Sequence, residues 1–181
     1  MAHKYTIPAL DDDKADRLIE LLQQRLTATL DLHLTLKHVH WNVVGPNFIG
    51  VHEMIDPQVD QVREMSDQIA ERIATLGGSP TGTPGFIAKN RTWEDYSIGR
   101  ELVQGHLAAL DLVYDGVVSD HRAAVEKTEE LDPVTQDMLI AHLHELELFQ
   151  WFVRAHLENA GGELRHEGAT TEQEAAEAAT E

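Results

Sequence analysis

The chain has 181 residues, 42% of them hydrophobic, which is enough for one domain with a sizeable core. Its 32 acidic and 14 basic side chains give a formal net charge of −18 at pH 7, and such a field attracts cations and repels phosphate backbones. Cysteine is absent, which excludes disulfides and thiolate metal sites. Any metal must therefore be held by imidazole and carboxylate groups, a ligand set that suits iron, zinc or manganese.

The N-terminal sequence MAHKYTIPALDDD lacks the apolar stretch of a signal peptide. No apolar run elsewhere is long enough to span a bilayer. These two observations predict a cytoplasmic protein.

Four long amphipathic segments account for most of the chain, and no convincing strand pattern interrupts them. The first predicted helix runs from about Asp13 to Val43, with leucines spaced by four at Leu18, Leu22, Leu26 and Leu30. The second runs from about Asn47 to Leu76 and ends at two glycines, a common stop signal. Pro57 lies inside it and is expected either to kink this helix or to start it afresh.

A connection of about twenty residues follows, which is long for a compact domain and indicates a crossover. Within it, PGFIAKN is compatible with one short helical turn. The third helix is predicted from about Ser97 to Glu130. The fourth begins after Asp132-Pro133, an N-cap followed by a first-turn proline, and is closed by Gly161-Gly162.

Two helices, one long crossover and two further helices make the connectivity of a ferritin-like four-helix bundle. We therefore predict an all-α fold with a short helix in the crossover. Residues 1–12 form an N-terminal extension, residues 13–162 the bundle and residues 163–181 a tail. The end of the tail, HEGATTEQEAAEAATE, has little hydrophobic bulk and no lysine or arginine, so it is expected to be disordered and solvated.

Candidate metal ligands gather on the second helix in two pairs with i, i+4 spacing: His52 with Asp56, and Asp67 with Glu71. At about 100° per residue, all four fall on one arc that flanks the apolar stripe. Asp56 and Asp67 are nevertheless eleven residues apart, roughly 16 Å along a helix, so one ion cannot join the two pairs. A two-fold contact between antiparallel copies would bring each pair against the other and form two sites per dimer.

These polar residues could instead be ordinary solvated positions, and His40, on the apolar face of the first helix, could be a hydrogen-bonded core histidine. Trp41 next to it suits packing better than redox chemistry. The remaining histidines of interest are predicted to have packing or surface roles rather than ligand roles: His33, His38, His142, His144 and His156.

A long spaced motif links these residues: KHVHWNVVGPNFIGVHEMID, then DQIAER, then ATLGGSPTG. In it the chain resembles the Dps family of mini-ferritins, the DNA-binding proteins from starved cells, of actinobacterial type. The resemblance covers residues from about 5 to 162. It implies a ferroxidase site at a two-fold interface, with His40, His52 and Asp56 from one subunit and Asp67 and Glu71 from its partner.

The resemblance further implies a hollow homo-dodecamer that oxidises Fe(II), typically with hydrogen peroxide, stores ferric mineral and so protects against oxidative stress. No organic cofactor is implied. Trp41 would be a nearby electron donor. Asp137 and Glu145 on the fourth helix would line an acidic iron-entry pore, although ordinary solvated acids explain them nearly as well.

The sequence departs from the family name in its tails, because DNA-binding members usually carry mobile tails rich in lysine or arginine. Here the last basic residue is Arg165, and five glutamates follow it. Lys4 and Lys14 are offset by three aspartates at positions 11–13. Phosphate contacts supply most non-specific affinity, so DNA binding is expected to be weak or absent. Two alternatives to the ferroxidase remain: a protein that compacts the nucleoid, and a di-metal hydrolase on the same bundle.

Overall fold

A computed structural model describes residues 7–181. Its elements, in chain order, are α1 Asp12–Asn42, β1 Val43–Val44, α2 Phe48–Thr75, α3 Pro84–Asn90, β2 Glu101–Leu102, α4 Val103–Thr128, α5 Pro133–Ala155 and α6 Glu172–Thr180. Helices α1, α2, α4 and α5 form the bundle, and α3 is the short helix in the crossover. The predicted all-α four-helix bundle with one long crossover is thus confirmed. Among residues 7–181, no helix has the length and apolar character needed to cross a membrane.

The bundle is built from two closely packed helix pairs, α1 with α2 and α4 with α5. At one end, the leucines spaced by four on α1 meet Ile69 and Ile73 of α2. At the other end, the core includes Leu36, Ile55 and Tyr114. The Tyr114 hydroxyl is fully buried and donates to Gln58 Oε1 at 2.7 Å, so this buried hydroxyl has a partner in the core.

Helix α2 is continuous from Phe48 to Thr75 and carries Pro57 in its interior. The helix therefore does not start afresh at the proline. Ile55, Val59 and Val62 remain buried on both sides of Pro57, so the apolar stripe keeps its phase across it. The candidate ligands before and after the proline stay on one side of a single helix.

The two short strands were not predicted. Strand β1 pairs with β2 in parallel, Val43 opposite Glu101 and Val44 opposite Leu102. This pairing holds the end of the crossover extended, so α4 begins at Val103 rather than near Ser97. Helix α5 begins as predicted, with the Asp132 side chain accepting from Thr135 N at 2.9 Å, but it ends at Ala155, before the glycine pair.

The expectation of a disordered tail is wrong. Residues 172–180 form α6, which begins with a capping box between Thr171 and Glu174. Ala175 and Ala179 are buried against Ala108 of α4. Small residues such as alanine and glycine let two helices approach closely, so little hydrophobic bulk is needed for this contact. Of the predicted N-terminal extension, residues 1–6 lie outside the described part, while Ile7 and Leu10 pack against the core.

The tail is also held by a buried carboxylate, Asp111 of α4. It accepts hydrogen bonds from Gln150 Nε2 at 2.9 Å, Arg154 Nε at 2.7 Å and His166 Nε2 at 2.9 Å. Asp111 and His166 are 3% and 4% exposed. Because His166 lies after α5, this cluster ties the segment that leads to α6 onto the bundle.

Two buried histidines make stability depend on pH. Burial lowers the pKa of His121 to about 3 and that of His142 to about 4, from an ordinary 6.5. The unfolded chain therefore takes up protons between pH 6.5 and about 3 that the folded chain does not, and stability falls as the pH falls through that window.

Replacing fully buried His121 by leucine is expected to make the melting temperature depend less on pH below pH 6.5, when it is measured at fixed protein concentration. Replacing exposed His144 by glutamine should leave the profile unchanged, and an equally steep profile for His121→Leu would contradict this account.

Candidate metal centre

His40 and His52 hold each other in place across the junction of α1 and α2. His40 Nδ1 lies 2.9 Å from the His52 carbonyl, and His52 Nδ1 lies 3.0 Å from the His40 carbonyl. Their rings stack with centroids 3.6 Å apart. A carbonyl oxygen can only accept, so each Nδ1 is the donor, and in the neutral rings the lone pair lies on Nε2. Both histidines are therefore prepared to bind a metal through Nε2, with the backbone fixing the tautomer.

Asp56 lies beside this pair, one turn after His52 on α2. Its Oδ1 is 3.2 Å from His40 Nδ1 and 2.6 Å from Lys37 Nζ. The hydrogen bond from Lys37 is the main reason that the pKa of Asp56 lies below its ordinary value, and the nearby histidines lower it further. Asp56 is thus a carboxylate at neutral pH, ready to bind a cation that displaces the ammonium group.

Sequence reasoning missed Lys37 as a neighbour of the site. Lys37 and His40 are three residues apart on α1, so they share one face of that helix. The spacing indicated that Lys37 lies near His40, but it did not indicate which carboxylate would contact the Lys37 ammonium group. The contact joins α1 to α2 and so depends on how these helices pack.

Asp67 and Glu71 lie further along α2, and both are exposed. Within residues 7–181 the structure gives neither carboxylate an ion pair or hydrogen bond. The structure does not bring this pair to the cluster of His40, His52 and Asp56, because a continuous helix separates Asp56 from Asp67 by roughly 16 Å. In the described part of one chain, no group of three or more metal-binding side chains has the geometry to hold an ion.

Large apolar side chains are exposed around the histidine pair. Trp41 is 70% exposed, Ile49 60% and Phe48 37%. Phe48 also lies against His52, with ring centroids 5.0 Å apart. A group of exposed apolar residues next to polar ligands is typical of an interaction surface.

The other histidines stay away from this cluster. His38 Nε2 donates to the Ile98 carbonyl at 2.9 Å, and exposed His156 uses Nδ1 to reach the Phe152 carbonyl at 2.7 Å. Buried His142 contacts Gln68 of α2, exposed His144 faces outward, and His33 has a pKa lowered by burial and by Arg63. These positions agree with the packing or surface roles that the sequence suggested.

Asp137 and Glu145 both lie on α5, with Asp137 exposed and Glu145 half-buried. Eight residues separate them, a little over two helical turns, so they lie on one side of the helix about 12 Å apart.

The chain is similar to known proteins over almost its whole length. A family model for the ferritin-like domain matches residues 19–161. The DNA protection during starvation protein of Mycolicibacterium smegmatis is 67% identical over 175 residues, covering 97% of this chain and 96% of the relative.

Solved structures agree with the sequence comparison. The structure of Mycobacterium smegmatis Dps matches with a TM-score of 0.92 and 67% identity, covering 94% of this chain and 97% of that one. DpsA14 from Streptomyces coelicolor matches with a TM-score of 0.88 and 64% identity, covering 90% and 96%. The fold, the spaced motif and these similarities together make the chain a member of the Dps family of ferritin-like proteins, of actinobacterial type.

Proposed function

We propose that this protein is a Dps-type ferroxidase and iron store that oxidises Fe(II) at sites shared between two subunits. The observation that carries the proposal is the histidine pair with Asp56, which would form half of a binding site on a surface with exposed apolar residues. His40, His52 and Asp56 of one subunit would bind iron together with Asp67 and Glu71 of the partner subunit.

The need for a second subunit follows from distance. Asp67 and Glu71 are ionisable, exposed and on the same side of α2 as Asp56, but roughly 16 Å away along the helix. An isologous two-fold contact between antiparallel α2 helices brings the end of one helix to the start of the other. The exposed Trp41, Phe48 and Ile49 would become buried in that contact.

The chemistry follows from the ligands. Imidazole nitrogens and a few carboxylates bind Fe(II) and leave positions open for an oxidant. Two ferrous ions each give up one electron, and hydrogen peroxide takes both electrons and two protons and leaves as two water molecules. Because peroxide takes its two electrons at one site, hydroxyl radical is not released. Trp41, adjacent to His40, would supply an electron when only one iron is present.

We also propose that twelve subunits form a hollow cytoplasmic cage that stores the ferric product as mineral. Asp137 and Glu145 would lie at an iron-entry pore, where a ring of carboxylates concentrates Fe(II). The net charge of −18 per chain gives the cage a strong attraction for cations. Removing both ferrous iron and peroxide would protect the cell from oxidative stress.

An iron-oxidation assay tests this function. Anaerobic Fe(II) is added to the assembled protein, peroxide follows, and the ferric product is read by absorbance with the particle mass measured by light scattering. Replacing Asp67 and Glu71 by alanine is expected to lower the initial rate at least about tenfold, a typical loss when metal ligands are removed. The matched control replaces exposed Asp60 and Glu64 of the same helix by alanine. Equal rates for wild type and the Asp67→Ala/Glu71→Ala variant would refute the site.

DNA binding is expected to be weak or absent. The relative from Mycolicibacterium smegmatis is named for DNA protection, but in this chain α6 is packed on the bundle and its exposed positions carry glutamates. Without basic tails there is little counterion release to drive binding. A gel-shift with plasmid DNA at neutral pH and moderate salt should show no retardation. Retardation would favour the alternative, a DNA-compacting protein in which iron storage is secondary.

A further inference from the structure

A cleft of about 660 Å³ lies between α1 and α4. Its remaining walls are residues 92–97 of the crossover and residues 170–173, which lead into α6. We name it the tail cleft. Its volume is in the range of sites that take small organic molecules. None of the candidate iron ligands lines it.

Most of the side chains that the bundle helices contribute to the cleft are apolar. Leu32 of α1 faces the cleft together with Leu112, Val113 and Val117 of α4. Trp93 and Tyr96 add two aromatic side chains from the crossover. The Trp93 ring is fixed, because its Nε1 donates to Asp31 Oδ2 at 2.6 Å. Such a surface favours the hydrocarbon part of a ligand.

All the charged side chains that line the cleft are acidic. Five carboxylates line the cleft, and no lysine, arginine or histidine does: Asp31, Glu94, Asp95, Asp120 and Glu172. Two arginines lie behind this lining, Arg25 paired with Asp120 at 3.1 Å and Arg91 paired with Asp31 and Asp95. Five negative charges against two positive ones leave a formal net charge of −3 around an apolar cleft. An aromatic ring beside such a charge further favours a cation.

Gly116 lies in the interior of α4 and lines the same cleft. A Cβ atom added there would meet no other atom within 4 Å. Glycine is unfavourable inside a helix, and neither a tight turn nor a close helix contact requires it at this position. The absent side chain leaves open space in the wall of the cleft, as expected where a ligand has to fit.

We propose that the tail cleft binds an organic ammonium ion with an apolar body. The hydrocarbon part lies between α1 and α4 over Gly116, and the ammonium group lies among the rim carboxylates. Because the last wall comes from residues 170–173, the docked tail completes the site. The proposal is independent of the proposed iron chemistry.

Calorimetry on the assembled, full-length protein tests the proposal, with phenylbutylamine, a cation at neutral pH, and phenylbutanol, its neutral counterpart. The amine is expected to bind about tenfold more tightly than the alcohol at low salt, equivalent to about 1.4 kcal/mol. Glu94→Gln should weaken the amine about threefold and leave the alcohol unchanged, as expected when one of several nearby charges is removed. Glu177→Gln, on α6 but not in the cleft, should change neither affinity.

Filling the space above Gly116 gives the sharper test. Gly116→Leu is expected to abolish binding of both compounds, whereas Gly116→Ala should retain it. Both residues are better helix formers than glycine, so loss of binding will not reflect loss of the fold, and light scattering confirms that the assembly is intact. Equal affinity for amine and alcohol, unchanged binding by Gly116→Leu, or no binding by the assembled wild type would each overturn the proposal. The last result would mean that a neighbouring subunit covers the cleft.

Discussion

Co-assembly of two inactive variants is expected to restore about a quarter of the wild-type rate of iron oxidation. One variant is His52→Ala/Asp56→Ala, and the other is Asp67→Ala/Glu71→Ala. Each variant alone lacks one half of every shared site and should be close to inactive. A mixed two-fold pair has one site with both halves intact and one site with both halves lost.

The expected fraction follows from counting. With random mixing of equal amounts, half of the two-fold pairs are mixed, and each mixed pair has one intact site out of two. Co-expression of the two variants, followed by the peroxide assay and light scattering, measures the recovered rate per cage. A cage in which each chain carries its own complete site would recover nothing.

The matched control mixes the His52→Ala/Asp56→Ala chain with a chain that carries all four substitutions. No intact site can form in that mixture, because both of its chains lack His52 and Asp56. Between them, its subunits carry the same substitutions as those of the first mixture, so general effects of the substitutions on the cage are present in both. Recovery there, or absence of recovery in the first mixture with the cage intact, would contradict a site shared between two subunits.

Removal of the Asp111 carboxylate is expected to release the tail and to destabilise the subunit by about 2 to 4 kcal/mol. Asp111→Ala removes the carboxylate acceptor of Gln150, Arg154 and His166, and Gln150 and His166 are buried. Unpaired buried donors cost more than the hydrogen bonds contributed, because water cannot replace the lost partner. The segment from His156 to Glu181 should then detach from α4.

Limited proteolysis and thermal melting at fixed protein concentration measure this effect. Asp111→Ala should be cut rapidly between α5 and α6 and melt at a lower temperature than wild type. Asp115→Ala is the matched control, because Asp115 contacts the same Arg154 at 3.5 Å but is 65% exposed, where an ion pair contributes little. Equal protease resistance of Asp111→Ala and wild type would show that the α6 contact alone holds the tail.

The order and type of the bundle helices could be predicted from the sequence, because each helix has a long apolar stripe with helical spacing. Proline at a first-turn position marked the start of α5, and Gly77-Gly78 marked the end of α2. The α4 start was misplaced because Gly99, close to Ser97, disfavours a helix but does not by itself exclude one. Ser97 and its neighbours stay extended because β2 pairs with β1 and because Ser97 N and Oγ bond Glu172 Oε2 at 2.6 and 2.8 Å.

The tail is the part of the chain for which amino-acid composition led to a wrong prediction, that of disorder. Its helix buries alanines, whose transfer from water contributes little, so it has no stripe of large apolar residues to detect. It is stable because α4 offers Ala108 and the buried Asp111 at the right places. Two local helix signals are visible in the sequence: the capping box at Thr171 and Glu174, within TEQE, and the alanines that follow it, since alanine has the highest helix propensity.

For the candidate metal centre, the sequence by itself determined the ligand types and their spacing along α2. Helical geometry then required that the two pairs lie too far apart for one ion. Only the tertiary structure decided that His40 and His52 donate to each other's backbone carbonyl and that Lys37 holds Asp56. Those contacts join different helices, and their distances depend on how α1 packs against α2, which no local pattern of residues specifies.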